Sequence, residues 1–455
     1  MFRQYVAVAD TAPDRPALIA GAAGFAVSRR ELLRRAQELG SALRRAGLGR
    51  GDLLAVQLPN SVEFVAAWLA ALDAGLVFVP IDRDAPEVEV AQILGHFAIK
   101  GLLYRPDRAS EHISVTTRVV ELHPVLPPAA RLLKLTSGST GLPKGIVVSE
   151  ANLIADFENI VSSMEIGPDD VNLGAIPFSH SYGFSNLVSP LVLQGTPVVI
   201  SNDYLPQSIL ELSNGFDCTV IPGIPMMFDH LSNLPRSDGE FRTVRTFISA
   251  GAPLPAATSR RFRERFGTDI HSFYGCSECG GITYDRAGAA VERGTVGARM
   301  GGVSLNARGA RVTVESRAVA LGYLLDAVRF EPFSPGRFTT DDLVEMRDEG
   351  EIALVGRASE LINTAGKKVN PREVEQIILQ IEGVREVKVY GEPAGARGEV
   401  VAAAVVADPD LTRERIREFC RSRLSLHKVP RIVKLIEALP IDERGKVKRT
   451  ALVAL

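Results

Sequence analysis

Short apolar segments alternate with amphipathic helical segments in the first part of this chain. Apolar residues recur every three or four positions between 28 and 47, and a second helix is predicted at 60–75. Apolar strands are predicted at 53–58 and 76–80, on either side of that helix. Strands and helices joined by short connections are typical of parallel sheets. The alternation returns after residue 149, so the sequence predicts an α/β fold of mostly parallel sheets flanked by helices.

A second, smaller unit is predicted in the last quarter of the chain. Pro371 suits the first turn of a helix. Further strands and helices are predicted at 386–390, 400–406, 412–424 and 432–436. At 455 residues the chain is too long for one ordinary core. We therefore predict a large domain over 1–356 and a small α+β domain over 357–455.

The composition predicts a globular protein that binds neither nucleic acid nor membrane. Apolar residues make up 46% of the chain, and the net charge of -2 gives no electrostatic reason to bind an acidic polymer or surface. The densest apolar segment, 64–72, is far shorter than the roughly 20 residues that span a bilayer. The first residues lack a signal-peptide pattern. Four scattered cysteines do not suggest a disulfide framework, so a cytoplasmic location is expected.

A loop rich in glycine and hydroxyl residues is predicted between strands at 131–135 and 146–148. It reads Leu135-Thr-Ser-Gly-Ser-Thr-Gly-Leu-Pro-Lys-Gly145. Glycine leaves backbone N–H groups uncovered, and hydroxyls together with Lys144 can bind phosphate oxygens. The spacing of its glycines and lysine excludes a Walker A loop. A plain turn is the alternative interpretation.

This loop resembles the phosphate loop of the adenylate-forming superfamily, which includes acyl- and aryl-CoA synthetases, peptide-synthetase adenylation domains and beetle luciferases. Other segments resemble motifs of that family and occur in its order. They are Pro177-Phe-Ser-His-Ser-Tyr-Gly183, Ser249-Ala-Gly-Ala-Pro253, Tyr274-Gly-Cys-Ser-Glu278, Phe338-Thr-Thr-Asp-Asp342, Ala365-Gly-Lys-Lys-Val-Asn-Pro-Arg-Glu373 and Pro440-Ile-Asp-Glu-Arg-Gly-Lys446. The resemblance covers nearly the whole chain and is closest to the acid–CoA ligases.

The resemblance implies an ATP site in which most contacts come from these motifs. Tyr274 would stack on adenine, Ser277 would contact the α-phosphate, and Glu278 would hold Mg²⁺, a hard cation that takes oxygen ligands. Asp342 would accept both ribose hydroxyls. The implied ATP-binding residues are Thr136, Ser137, Gly138, Ser139, Thr140, Gly141, Lys144, Gly251, Ala252, Tyr274, Gly275, Ser277, Asp342 and Arg357. The implied catalytic residues are Lys446, His180, Glu278 and Lys144.

The resemblance also implies a pocket for the acid. Its expected lining is His180, Ser181, Ile221, Gly223, Gly251 and Tyr274. Members of the family that activate amino acids carry Phe-Asp in this motif, and the aspartate pairs with the substrate ammonium. This chain has Phe178-Ser179 instead. We therefore expect a plain carboxylic acid, aryl or medium acyl, and not an α-amino acid.

The small domain departs from the family pattern at two positions. Both bear on the second of the family's two reaction steps, the transfer of the acyl group to the thiol. The loop of Ala365, Gly366 and Lys367 matches the channel for the CoA thiol, but Ala365 adds a methyl group where glycine is usual. Ser359 stands at the hinge, where the family has an acid or a lysine. In the family this domain rotates between the two half-reactions, and Lys446 serves the first of them.

The expected activity is ATP-dependent activation of an acid as acyl-AMP with release of pyrophosphate, followed by transfer of the acyl group to CoA. Mg²⁺, Lys144 and Lys446 would reduce the repulsion between the carboxylate and the triphosphate. A ligase that loads a carrier protein or forms an amide is an open alternative. A nucleotide-binding protein without ligase activity and, more remotely, a luciferase-like oxygenase are others. A homodimer is also left open.

Overall fold

The structure is a computed structural model of the 455-residue chain. It describes residues 1–21, 24–106, 112–136, 143–236, 239–308, 311–364, 367–394, 399–440, 447 and 449–454. Contacts between residues divide the chain into two units. The large unit comprises Met1–Asn306, Thr313–Phe338 and Arg347–Ile352, and the small unit comprises Ala307–Val312, Thr339–Met346 and Ala353–Leu455. The boundary predicted between residues 356 and 357 remains a prediction, and the two earlier segments of the small unit were not foreseen.

The helices and strands follow the predicted alternation closely. The helices are α1 Phe2–Thr11, α2 Arg29–Arg45, α3 Val62–Ala74, α4 Glu87–His96, α5 Glu150–Met164, α6 Ser181–Gly183, α7 Ser189–Gln194, α8 Pro206–Gly215, α9 Pro225–Ser232, α10 Ala256–Phe266, α11 Pro371–Ile378, α12 Arg413–Arg421 and α13 Arg449–Ala454. A π-helical segment, Phe184–Val188, joins α6 to α7. Short 3-10 turns lie at Asp348–Gly350 and Ala358–Glu360.

The strands are β1 Pro16–Ala20, β2 Phe25–Ser28, β3 Leu53–Gln57, β4 Val77–Ile81, β5 Gly101–Tyr104, β6 Ser114–Thr117, β7 Ala130–Thr136, β8 Lys144–Ser149, β9 Asn172–Gly174, β10 Val198–Ile200, β11 Val220–Gly223, β12 Thr246–Ser249, β13 Ile270–Cys276, β14 Gly280–Tyr284, β15 Ala298–Arg299, β16 Val303–Arg308, β17 Arg311–Ser316, β18 Gly322–Asp326, β19 Arg329–Pro332, β20 Arg337–Met346, β21 Ile352–Arg357, β22 Ile362–Thr364, β23 Lys367–Val369, β24 Val384–Pro393, β25 Glu399–Ala407 and β26 Ile432–Leu435.

Local signals in the sequence set several helix ends. Ser149 begins α5 with a capping box that it forms with Asn152, which satisfies backbone N–H groups that the first turn leaves free. Gly75 ends α3 in the left-handed conformation, at φ 70, which glycine adopts without strain. Ser28 caps α2 by accepting from the N–H of Glu31. These predicted helix ends are confirmed.

Two large sheets form the framework of the large unit. One has nine strands in the order β15-β14-β13-β12-β11-β9-β10-β1-β2, with parallel pairs in its centre and antiparallel pairs at both ends. The other has eight strands in the order β19-β18-β8-β7-β4-β3-β5-β6. The α/β class is confirmed. The second sheet is more mixed than predicted, because β7, β8, β18 and β19 pair antiparallel in succession.

Helices cover both faces of each large sheet. One hydrophobic core contains residues of both sheets together with apolar residues of α2, α3, α5 and α7, so these helices lie between the sheets. Trp68 in this core is fully buried, and nine of the 13 residues of α3 are buried, as expected for a mainly apolar helix. The outer face of the eight-stranded sheet packs against α4, and that of the nine-stranded sheet packs against α9 and α10.

The small unit has its own core. A three-stranded sheet, in the order β24-β25-β26, packs against α11 and α12. The strands β22 and β23 form a separate antiparallel pair. In the sequence, boundaries between the units fall within β16, β17, β20 and β21. Among the described residues, no helix has the length and apolar character that a membrane span requires.

Candidate active site

The predicted phosphate loop connects two neighbouring strands of the eight-stranded sheet. The strands β7 and β8 pair antiparallel, with Thr136 opposite Lys144. The Thr136 hydroxyl donates to the Lys144 carbonyl at 3.4 Å. Both residues therefore flank the loop, as predicted. The predicted contacts of Ser137, Gly138, Ser139, Thr140 and Gly141 lie outside the described residues.

Tyr323 connects two of the predicted catalytic residues. Its ring centroid lies 5.4 Å from the Lys144 ammonium, and its hydroxyl donates to Oε1 of Glu278 at 2.8 Å. Burial raises the pKa of Tyr323, and the neighbouring Glu278 charge raises it further, so the hydroxyl stays a donor. Sequence reasoning missed Tyr323, because a lone tyrosine in a strand gives no sign of a site. Only the pairing of β18 with β8 brings it here.

A tight hairpin turn presents Ser277 and Glu278. The strands β13 and β14 pair antiparallel, and the N–H of Cys279 donates to the carbonyl of Cys276 at 3.3 Å. Gly275 is required by close packing, because a Cβ there would lie 2.5 Å from the carbonyl oxygen of the opposite strand. The turn therefore holds two adjacent predicted site residues on a rigid hairpin.

The buried carboxylate of Asp156, on α5, accepts hydrogen bonds from this hairpin and from a neighbouring helix. Its Oδ1 accepts from the N–H of Gly281 at 2.8 Å, and its Oδ2 accepts from the hydroxyl of Ser185 at 2.6 Å. Gly280 adopts φ +71, and a Cβ there would lie 2.1 Å from Asp156. The sequence interpretation of α5 counted only its apolar residues and missed this contact. The sequence did contain a signal for this contact, because Asp156 is a polar residue at a position of α5 that the helical pattern assigns to the core.

The predicted acid motif meets the hairpin through one hydrogen bond. The hydroxyl oxygens of Ser181 and Ser277 are 2.7 Å apart. Ser181 begins α6 directly after His180. Gly183 of α6 has no room for a side chain, since a Cβ would lie 2.1 Å from the carbonyl oxygen of Pro177. The motif thus folds into a tight turn that presents Ser181 to Ser277, and the structure brings these two predicted residues together.

His180 lies beside a carboxylate that the sequence did not reveal. Its Nε2 is 3.6 Å from Oδ2 of Asp82, which directly follows β4. Asn60 supports the segment before His180. Its amide donates to the carbonyls of Gly174 and Ile176, and its Oδ1 accepts from the N–H of Phe178 at 2.7 Å. We interpreted Asn60 from the sequence only as the start of a helix.

The residues predicted to line the acid pocket differ in their exposure. Gly251 is exposed at φ +86, and Tyr274 is buried. Ile221 is fully buried in the core beneath α9, because its side chain leaves β11 on the face that this helix covers. Its expected place in the lining of the acid pocket remains a prediction. A Cβ on Gly223 would overlap the side chain of Met227.

Tyr182 lies next to these residues and was not assigned a role. Its hydroxyl donates to the carbonyl of Ile248 at 2.9 Å, and its ring centroid is 5.7 Å from that of Phe273. Burial raises the pKa of Tyr182 well above its usual value, so this hydroxyl is a permanent donor. The ring therefore occupies a fixed position between β12 and β13.

The small unit holds the predicted ribose ligand in an ion pair. Nε of Arg357 donates to Oδ1 of Asp342 at 2.9 Å. Burial lowers the pKa of Arg357, but the charge and hydrogen bond of Asp342 outweigh it and the net shift is upward. The neighbouring Asp341 accepts from the backbone N–H of Ser359 at 3.3 Å and from its hydroxyl. The predicted hinge residue is thus bonded to Asp341, which stands where the family has glycine.

The strands on either side of the predicted thiol-channel loop pair antiparallel. Thr364 of β22 is opposite Lys367 of β23, whose side chain is exposed. Ala365 and Gly366 lie outside the described residues, and so does Lys446, the predicted adenylation lysine. Their roles remain predictions.

Comparison with known proteins identifies the family. The sequence profile described as AMP-binding enzyme matches residues 6–309, and the profile described as AMP-binding enzyme C-terminal domain matches residues 373–446. A feruloyl-CoA synthase of an Amycolatopsis species is 28% identical over 93% of this chain and 93% of its own length. A naringenin synthase of Pestalotiopsis fici is 29% identical over 95% of this chain, which spans only 18% of that larger protein.

A solved structure has the same fold over its whole length. The ATP-bound MatB of Rhodopseudomonas palustris is 26% identical, with a TM-score of 0.83 over 100% of this chain and 98% of that one. The matched profiles cover both the phosphate-loop region and the small unit. The chain belongs to the AMP-binding enzyme family.

Proposed function

We propose that this chain is an AMP-forming acid–CoA ligase. It activates a carboxylic acid with ATP, releases pyrophosphate, and transfers the acyl group from acyl-AMP to the thiol of CoA. The observation that carries the proposal is the hairpin turn at 276–279. Ser277 on this turn is bonded to Ser181 of the acid motif, and the adjacent Glu278 is bonded to Tyr323 beside Lys144.

The chemistry needs the acid and the phosphates to be close together, since the carboxylate attacks the α-phosphorus. Two anions repel, and positive charge and fixed donors at the site of attack reduce that barrier. On the hairpin turn, Ser277 would contact the α-phosphate while bonded to Ser181 of the acid motif, and the adjacent Glu278 would hold the metal ion. Lys144 supplies charge on the phosphate side, and Lys446 would supply it near the carboxylate.

Glu278 fits the role of a Mg²⁺ ligand. Its carboxylate offers hard oxygen donors, and Tyr323 fixes one of them. The described residues contain no group of three His, Cys, Asp or Glu side chains that could hold a metal alone. Phosphate oxygens and water would complete the coordination, so metal binding would depend on the nucleotide. When bound, the ion withdraws charge from the phosphates.

The acid has no ammonium group next to its carboxylate in this proposal. Ser179 stands where an amino-acid pocket would need a carboxylate. Asp82 lies nearby, but His180 already contacts it at 3.6 Å. We propose an aryl or medium acyl acid, which the feruloyl-CoA synthase relative supports. CoA is the proposed acceptor, and exposed lysines at Lys367 and Lys368 suit its phosphates.

The test is a coupled assay on the purified chain with ATP, Mg²⁺, CoA and a panel of aryl, medium acyl and amino acids. We expect mass spectrometry to detect an acyl-CoA from at least one aryl or medium acyl acid. A phosphopantetheinylated carrier protein in place of CoA is the matched alternative acceptor. Thioester on the carrier alone, or products from amino acids alone, would contradict the proposal.

A further inference from the structure

A lysine lies in the core of the large unit, beneath the candidate active site. Lys134 is on β7, two residues before Thr136, and only 6% of its surface is exposed. Its cross-strand neighbour is Ile146, and Leu132 lies on the same face of the strand. Both neighbours belong to the hydrophobic core. An apolar side chain would suit this position better, because burying an ammonium group removes it from water at high cost.

The ammonium group is not satisfied by hydrogen bonds. No hydrogen bond or ion pair joins the Lys134 ammonium group to another residue that the structure describes. Burial lowers its pKa, and the charges that oppose this shift include Asp156 and Glu278. A buried cation without direct partners is rare in proteins unless it balances nearby charge.

The sheet register relates Lys134 to Tyr323, the residue that bonds Glu278. Lys134 and Tyr323 are both paired with Ile146, one from each side, so the three residues form one row across the sheet. Tyr323 at the end of this row bonds Glu278. Lys134 at the other end of the row feels the charge of Asp156, which bonds Gly281 of the hairpin, and also that of Glu278. The carboxylates of Glu278 and Asp156 and the ammonium group of Lys134 therefore influence one another electrostatically at this hairpin turn.

We propose that Lys134 is a positioning residue that acts as the buried counter-charge of Glu278 and lets a polyphosphate approach the hairpin turn. Without it, a highly negative nucleotide would meet two carboxylates, Glu278 and Asp156, that no buried cation offsets. Charges interact strongly in a low-dielectric interior, so one missing charge has a large effect on a nearby anion. This inference rests on the proposed function, which assigns the nucleotide to this turn.

The test measures nucleotide affinity without catalysis. Isothermal titration with ATP in the presence of a chelator reports binding without Mg²⁺. We expect Lys134→Met to weaken this binding about tenfold or more. Leu132→Met, on the same strand and face, is the matched control and should bind ATP as the unmodified chain does. Lys134→Gln, which keeps a polar side chain without the charge, should behave like Lys134→Met.

A double variant distinguishes a counter-charge from a packing role. If Lys134 offsets Glu278, then Glu278→Gln added to Lys134→Met should restore metal-free ATP affinity to within about threefold of the unmodified chain. The melting temperature of Lys134→Met should fall, because the buried carboxylates lose their counter-charge, and the added Glu278→Gln should recover part of that fall. Unchanged ATP affinity in both single Lys134 variants would overturn the proposal. A double variant weaker than Lys134→Met would also overturn it.

A failure of the proposed function would give different results from a failure of the Lys134 proposal. A chain that binds ATP as expected in these titrations but forms no acyl-CoA would contradict the ligase assignment and leave the role of Lys134 standing. A chain that binds no ATP at all would overturn both.

Discussion

The hydroxyl oxygens of Ser181 and Ser277 lie 2.7 Å apart, and they join two segments that are 96 residues apart in the chain. Ser181 belongs to the segment predicted to bind the acid, and Ser277 to the segment predicted to contact the α-phosphate. Each hydroxyl fixes the direction of the other, because one must donate and the other must accept. The contact therefore couples the two halves of the candidate site.

Loss of the Ser181 hydroxyl should weaken adenylation. With Ser181→Ala, Ser277 loses its partner and is free to rotate away from the phosphate. A neutral hydrogen bond contributes about 1 kcal/mol, so we expect a fall in adenylation of about five- to tenfold. Steady-state ATP–pyrophosphate exchange measures this, with Ser181→Thr as the variant that keeps the hydroxyl. An equal fall in both variants would show that packing, and not the hydroxyl, matters.

Glu278→Gln should change the response to Mg²⁺. The amide oxygen still accepts from Tyr323, so the turn should keep its shape while the charge for the cation is lost. We expect the Mg²⁺ concentration for half-maximal activity to rise about tenfold or more, since a hard cation prefers a charged oxygen. A Mg²⁺ titration at saturating ATP checks this. An unchanged Mg²⁺ dependence would refute the assigned role.

Lys446→Ala should separate the two half-reactions. The lysine is expected to stabilise charge as the carboxylate attacks. Removal of one such contact lowers the rate of the step about a hundredfold, so we expect this loss in adenylation. Thioester formation from a preformed acyl-AMP should remain near its normal rate. Both steps can be followed separately by quenched flow and mass spectrometry. An equal loss in each step would contradict the assignment.

Ser359→Ala should be tolerated. The Ser359 hydroxyl bonds Asp341, but Asp341 also accepts from the Ser359 backbone N–H and pairs with Arg311 at 3.4 Å. These groups are exposed enough for water to replace the lost bond, so we expect less than about a threefold change in either half-reaction. Separate assays of adenylation and thioester formation measure it. A large drop confined to the second step would show that the hydroxyl controls the hinge.

The elements that the sequence predicted correctly are set by neighbouring residues. The cap of α5 by Ser149 and the end of α3 at Gly75 need contacts only within one turn. The strands flanking the phosphate loop were likewise evident from β-branched and apolar runs. These signals are short-ranged, so a single sequence was enough to place these helix ends and strands.

The supporting residues of the site could not be predicted in this way. Asn60 bonds Phe178 across 118 residues, and Asp156 bonds Gly281 across 125 residues. Tyr323 reaches Glu278 only because β18 pairs with β8. A single sequence does not name the partners of such long-range contacts, even where a polar residue at a core position, such as Asp156, indicates that a partner exists. The sequence thus predicted motif residues but not the residues that hold them.

The most direct test of the account is acid-dependent exchange of labelled pyrophosphate into ATP by the intact chain. The measurement needs only ATP, Mg²⁺, pyrophosphate and a panel of carboxylic acids, and it does not depend on the acceptor thiol. The account predicts exchange that requires both the chain and at least one aryl or medium acyl acid. No exchange with any acid, from a folded chain that binds ATP, would contradict it.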